Sequence, residues 1–197
     1  MVAVLATCIG LYPILYFFID RTFGLLASKP AELLNAQVWN IAFYGHITLG
    51  GLALLIGWLQ FNATLRIKKV KLHRNIGKTY VASVLLSGLC SLYIAIHATG
   101  GVVSALGFFL LGVIWLMATV LALNAIKNGN VQLHKKWMIY SYAACFAAVT
   151  LRIWLPLLTA AVGDFENAYR IVAWLCWVPN MILAYFIVKR NIRRSSL

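Results

Sequence analysis

The chain has 197 residues, of which 63% are hydrophobic and only 11% charged, and it carries a net charge of +13. A soluble domain charges roughly a quarter of its residues, and a soluble fold of this length lacks the interior to hide so much apolar surface. This excludes a water-soluble globular protein. The basic residues gather at the ends of apolar runs rather than on an aromatic-interleaved surface, which also excludes nucleic-acid binding as the source of the charge.

Runs of about 20 apolar residues suffice for a helix to cross the hydrocarbon core. Their backbone must be satisfied internally, so helices are predicted; the short alternating segments of a barrel are absent. The first run covers residues 2–19. It lacks the charged leading region and clear cleavage site of a signal peptide and reads as a retained helix. The connection after it holds Asp20, Arg21, Lys29, Pro30 and Glu32, with a short surface helix expected near Pro30–Asn35. The second helix is predicted over 38–61. A basic loop follows, with Arg66, Lys68, Lys69, Lys71, Arg74 and Lys78. The third helix, 77–98, ends at the Thr99–Gly100–Gly101 break. The fourth covers 102–126, and Asn128–Gly129 marks the turn beyond it. The fifth covers 134–162, and its connection to the sixth carries Asp164 and Glu166. The sixth covers 169–188 and runs into a tail with Lys189, Arg190, Arg193 and Arg194. The fold class expected is all-α: one polytopic domain over residues 1–197, a bundle of about six transmembrane helices.

Orientation follows from counting. The second-to-third loop, the fourth-to-fifth loop and the tail hold thirteen Lys and Arg between them. The opposite connections hold three, Arg21, Lys29 and Arg170, together with all four acidic residues. The positive-inside rule then places both termini and the basic loops in the cytoplasm, against an anionic leaflet. Cys8, Cys90, Cys145 and Cys176 lie in apolar segments without metal-ligand spacing and read as small buried hydrophobes.

The residues able to carry chemistry are few. Paired carboxylates, a phosphate-binding glycine loop and a nucleophile elbow are all missing. Four histidines remain, and they sort by depth: His46 and His97 towards the outer face, His73 and His134 towards the inner. At about 100° per residue, His46, Gly50, Ala53, Gly57 and Gln60 form one stripe of the second helix. It suits close helix packing or a slot for a flat ligand. His134, Met138, Ser141, Cys145, Ala148 and Arg152 share a face of the fifth helix that is expected to point inward. Arg152 lies within an apolar run and needs a partner: Asp164 or Glu166, a backbone carbonyl, or the carboxylate of a ligand. In the sixth helix, Pro179 and Asn180 predict a kink with a satisfied amide.

These residues sit in distinctive strings: GHITLGGLALLIGWLQF in the second helix, HRNIGKTY from His73, FFLLGVIW from Phe108, HKKWM from His134 continuing to Pro156, and WLCWVPN from Trp174. Together, over about Gly45–Tyr185, they resemble a bacterial family of predicted membrane proteins catalogued as domain of unknown function 2306. The resemblance implies a helical membrane fold, residence in a bacterial inner membrane, and no stated activity. The layout of histidines also resembles b-type di-haem membrane cytochromes, although the fourth helix here has no histidine. That likeness implies haem b held by His46 with His97 and by His73 with His134. Arg152 would neutralise propionates on one side and Arg74, Lys78 and Lys135 on the other. Electron transfer, with quinol as a possible donor, is the function it implies. Other expectations are a transporter or binding protein in which the same histidines hold a transition metal such as Zn²⁺ or Cu²⁺, a scaffold whose small-residue faces receive partner helices, and an intramembrane lipid enzyme.

Overall fold

The computed structural model describes residues 1–18, 20 and 24–195, with side chains through Asn191. Ile19 and Arg21 lie outside the described residues, as do the side chains of Arg193 and Arg194. Among the described residues every regular element is helical. Five apolar helical stretches are long enough to cross a membrane: Gln37–Phe61, Val70–Ile96, Gly101–Lys127, Val131–Val162 and Phe165–Asn191.

The first run is shorter than these. Helix α1 (Val2–Leu11) gives way to a 3-10 turn, Tyr12–Phe17, where Pro13 opens the tighter winding. Together they extend roughly 27 Å by their rises per residue. A second 3-10 turn, Gly24–Ser28, leads to the surface helix α2 (Ala31–Asn35), which starts immediately after Pro30. Helix α3 (Gln37–Gly57) continues as a 3-10 turn to Phe61.

The basic stretch expected as a loop is helical instead. Helix α4 (Ala63–Lys68) is capped by Asn62, whose side chain accepts from the Leu65 N–H at 3.1 Å. Helix α5 (Val70–Ile96) then begins seven residues before the predicted start of the third span. At 27 residues it reaches about 40 Å, longer than the hydrocarbon core. Its first two turns, with Lys71 and Arg74, can stand in the headgroup zone, and Lys, Leu and Arg are good helix formers. Charge there marks the membrane boundary without ending the helix.

Helix α6 (Gly101–Lys127) is unbroken. The fifth span divides at Phe146 into α7 (Val131–Cys145) and α8 (Ala147–Val162). At the break the Thr150 hydroxyl lies within reach of the carbonyls of Phe146 and Ala147, the position of a back-bonding that bends helices, and its nearest acceptor is Cys176 O on the neighbouring span. The sixth span divides at Cys176–Trp177 into α9 (Phe165–Leu175) and α10 (Val178–Ser195). Pro179 lacks the N–H that would join the two. The Asn180 amide donates to Cys176 O at 3.0 Å and lies 3.2 Å from Thr150 Oγ1, giving the satisfied kink expected.

Helices α3, α5, α6 and α7 pack in succession. Helix α1 lies against α3, α9 against α6 and α8, and α10 against α7. The interior is built of small residues: Ala53, Ala118, Ala122, Ala144, Ala173, Ser83, Ser87, Ser104 and Ser141 are all buried, whereas Leu86, Leu89, Leu106, Ile182 and Phe186 are exposed. This inverts the soluble pattern and suits a bundle whose large apolar side chains meet lipid. We call the end carrying Arg66–Lys78 and Lys127–Lys136 the basic end, and the end carrying Glu32, Asp164 and Glu166 the acidic end.

Candidate functional site

A cavity of about 860 Å³ occupies the half of the bundle nearer the acidic end, walled by α3, α5, α6, α8, α9 and the two N-terminal 3-10 turns. That is the size of a pocket for a drug-sized ligand. Its lining is mostly apolar and aromatic, with Phe43, Phe108 and Trp115 among the rings. The polar exceptions include His46, Ser91, Arg152, Lys29, Tyr12, Tyr16 and Tyr169, and no acidic side chain is among the lining residues.

His46 is held in one orientation. Its Nδ1 lies 3.1 Å from the Ser87 carbonyl and 3.0 Å from Ser87 Oγ. A carbonyl only accepts, so Nδ1 carries the proton. The Ser87 hydroxyl donates in turn to the His46 carbonyl at 2.9 Å. Nε2 therefore keeps a lone pair and has no hydrogen bond to a described residue. An imidazole that donates one N–H to a carbonyl while the other nitrogen stays free has the arrangement of a metal-ligating histidine. Gly50 lies one turn away. A Cβ there would come within 3.1 Å of Ser87 Oγ and 4.0 Å of His46 Cε1, so the bare backbone preserves space beside the ring.

Arg152 faces the same cavity. Nη1 donates to the Ala148 carbonyl at 2.9 Å, and the guanidinium lies over the Tyr12 ring, 4.5 Å from its centroid. The acidic partners expected for it are engaged elsewhere. Asp164 accepts from the Asn167 N–H at 2.7 Å and caps α9, and Glu166 pairs with Arg170 at 2.6 Å. Of the three partners considered, the structure supplies the backbone carbonyl, and most of the five guanidinium donors remain for something else.

Lys29 lines the cavity from the connection that leads to α2. Its Nζ donates to the His97 carbonyl at 2.5 Å and to Thr99 Oγ1 at 3.0 Å, and burial lowers its pKa from 10.5 to about 8. Trp39, 2% exposed, also lines the cavity, and its indole N–H has no acceptor.

The other histidines lie elsewhere. The His97 ring packs edge-on against Tyr93 and is outside the lining. His46 meets α5 at Ser87, ten residues before His97 and roughly 15 Å away along the axis. The cavity lining thus includes His46 without His97. At the basic end, the His134 Nδ1 donates to the Ala122 carbonyl at 2.9 Å. The His73 Nδ1 is buried without a partner. Arg74 acts on His73 electrostatically. Among the described residues no three of His, Cys, Asp and Glu converge as a metal site.

Residues 43–188 match the family model described as predicted membrane protein, DUF2306. The chain belongs to this family. No curated protein and no solved structure matches it. The DUF2306 region contains His46, Gly50, Ser87, Arg152 and Tyr169, whereas Tyr12, Tyr16, Lys29 and Trp39 precede it. The cavity is thus a DUF2306 core closed by a preceding segment.

The sequence pattern singles out His46, Gly50, Cys145, Ala148 and Arg152 among the lining residues and does not single out Ser87, Lys29 or the tyrosines. Ser87 had a signal: Tyr80, Ser83, Ser87 and Ser91 recur at helical spacing along α5 and are buried. Lys29 had none, because a lysine in a connecting segment looks solvated until the chain folds over it.

Proposed function

We propose that this DUF2306 protein binds haem b in the cavity, with His46 Nε2 as an axial ligand and Arg152 beside the propionates, and that it serves electron transfer in a bacterial inner membrane. One observation carries the reading: an imidazole anchored through Nδ1 to Ser87, its other nitrogen free, lines the same apolar cavity as a guanidinium without an acidic partner. The fit is chemical as well as spatial. The aromatic walls suit a macrocycle, and cations without acids suit its two carboxylates. Bound there, haem supplies one-electron chemistry whose potential the axial ligand and surrounding polarity set. The chain's own part is to orient the iron, exclude water and balance the propionate charge. The ligation is through a single protein histidine, and quinol is a candidate reductant. We also infer that the first run completes a sixth crossing, with both termini in the cytoplasm.

The test is an absorption spectrum of detergent-purified protein supplied with haem. The expected result is a Soret band that shifts on dithionite reduction, is lost in His46→Ala and survives in His97→Ala. A colourless wild-type preparation after reconstitution rejects the proposal.

A second reading has its own support: no second histidine lines the cavity. A lipophilic carboxylate or quinone without iron would be held by the same Arg152 donors, with its oxygen hydrogen-bonded to Trp39 Nε1–H. Organic extraction of the purified protein followed by mass spectrometry distinguishes it. A stoichiometric lipid or quinone that disappears in Arg152→Ala supports this reading against haem.

A further inference from the structure

We propose that Lys29 is a specificity residue that reads an ionised carboxylate at the outward end of the ligand, and that this selection is encoded in the segment preceding the DUF2306 core. The inference rests on the haem reading and adds to it a residue which neither the family match nor the histidine pattern identifies.

The argument starts from position. Lys29 lines the same cavity as Arg152 but lies on the connection leading to α2, beside the end of α5, where its Nζ meets His97 O and Thr99 Oγ1. Ser28 reinforces that placement, with Oγ 2.9 Å from Thr99 Oγ1 and 2.8 Å from the Leu25 carbonyl. An ammonium has three N–H donors, so one remains for a ligand. His46 lies in the interior of α3, a roughly 10 Å rise below Trp39, a lining residue near the helix start. The cavity therefore reaches from an imidazole within the bundle to a cation on the connection before α2, with Arg152 of α8 over Tyr12 of the first 3-10 turn. A flat molecule with two carboxylates on one edge would present one to Arg152 and one to Lys29.

The second support is the lack of a competing anion. Among the described residues, no acidic side chain lines the cavity beside Lys29. The charged and titratable groups facing this space are His46 from α3, Arg152 from α8, Tyr169 from α9, Tyr12 and Tyr16 from the first 3-10 turn, and Cys145 and Cys176 at the ends of α7 and α9. Beyond Gly100 lies Arg170, already paired with Glu166. The buried ammonium, with its pKa near 8, gains a counter-ion only when an anion arrives. Arginine and tyrosine ordinarily change charge above this range and histidine below it.

The experiment measures affinity of the full chain in detergent by Soret titration, using protohaem and its dimethyl ester, in wild type, Lys29→Met and Lys29→Arg. In wild type near pH 7, protohaem is expected to bind roughly ten- to a hundredfold tighter than the ester. Lys29→Met should lose the Lys29 share of that preference, a severalfold drop in protohaem affinity, keep the share that Arg152 supplies, and still bind the ester. Raising the pH through about 8 should weaken protohaem binding to wild type, whereas Lys29→Arg holds its charge and keeps the affinity at pH 9.5. Unchanged protohaem affinity in Lys29→Met overturns the inference and leaves the haem reading intact, whereas equal affinity of wild type for the two haems overturns the inference and removes the Arg152 role with it. No Soret change with either haem overturns the haem reading itself, and this inference with it. Retained ester binding by Lys29→Met also excludes misfolding as the cause of its loss.

Discussion

Two glycines on one stripe of α3 behave differently. A Cβ on Gly57 would lie 2.6 Å from a ring carbon of Tyr142 and 2.8 Å from one of Tyr80, and neither ring is free to yield. Tyr80 is fully buried, with its hydroxyl 2.8 Å from Ser141 Oγ, while Tyr142 bonds the Leu54 carbonyl. Gly57→Ala should therefore cost about 1–3 kcal/mol by overpacking, visible as a lowered melting temperature in detergent. Gly50→Ala should melt close to wild type and act on ligand affinity, because what it crowds is the Ser87 hydroxyl that holds His46. Equal thermal losses at the two sites would refute the division. Packing and a ligand slot were both legible readings of this stripe; Gly57 shows the packing, Gly50 stands beside Ser87 and His46, and the sequence has no signal for which neighbour each glycine faces. Lys29 gives a further expectation from its sign alone. Its folded pKa is below its unfolded value, so the unfolded chain binds more protons between about 8 and 10.5. Lys29 therefore raises ligand-free stability as pH rises through that window. Comparing the pH dependence of melting in wild type and Lys29→Met isolates the contribution, which should be absent from the variant.

The breaks in α7–α8 and α9–α10 come together in space. Thr150, just beyond the Phe146 break, bonds Cys176 O, and the Asn180 amide bonds the same carbonyl at 3.0 Å and Thr150 Oγ1 at 3.2 Å. Each break frees carbonyls that the other element's side chains satisfy, so two interrupted helices act as one joint beneath Cys145 and Cys176 at the cavity floor. Asn180→Ala should cost about 0.5–2 kcal/mol, the range for interhelical hydrogen bonds in membranes. Combined with Thr150→Val the loss should fall short of additive, because both remove one network. A double-mutant cycle on melting temperature checks this, and strict additivity would dissolve the joint. Half of the joint was readable, since Pro179 and Asn180 announce a kink. The Phe146 break was not, because no proline or glycine marks it and its cause is a contact between elements distant in sequence. The helical start of α5 was hidden for a related reason: Lys and Arg signal the membrane boundary and favour helix equally.

Charge placement is the property of the whole molecule that the sequence states most plainly, with thirteen basic residues at one end of the bundle and every acidic residue at the other. Composition and run length sufficed for the helical membrane fold, because lipid leaves the backbone few choices. The first run is harder to read. Its 3-10 winding lets 16 residues, Val2–Phe17, stretch to roughly 27 Å, just short of a hydrocarbon thickness, and Tyr12 at the middle of that stretch meets Arg152 on α8. If it crosses, the starting methionine lies with the basic end; if it enters and returns, it lies with the acidic end. Single cysteines in a chain whose four native cysteines are replaced by alanine separate the cases. In intact cells a membrane-impermeant maleimide should label Val162→Cys at the acidic end and spare Asn128→Cys at the basic end, and permeabilised cells should label both. With six crossings, Val2→Cys follows Asn128→Cys. Labelling of Val2→Cys in intact cells would leave five crossings and a re-entrant first run, while labelling of Asn128→Cys there would invert the whole bundle and place the cavity towards the cytoplasm.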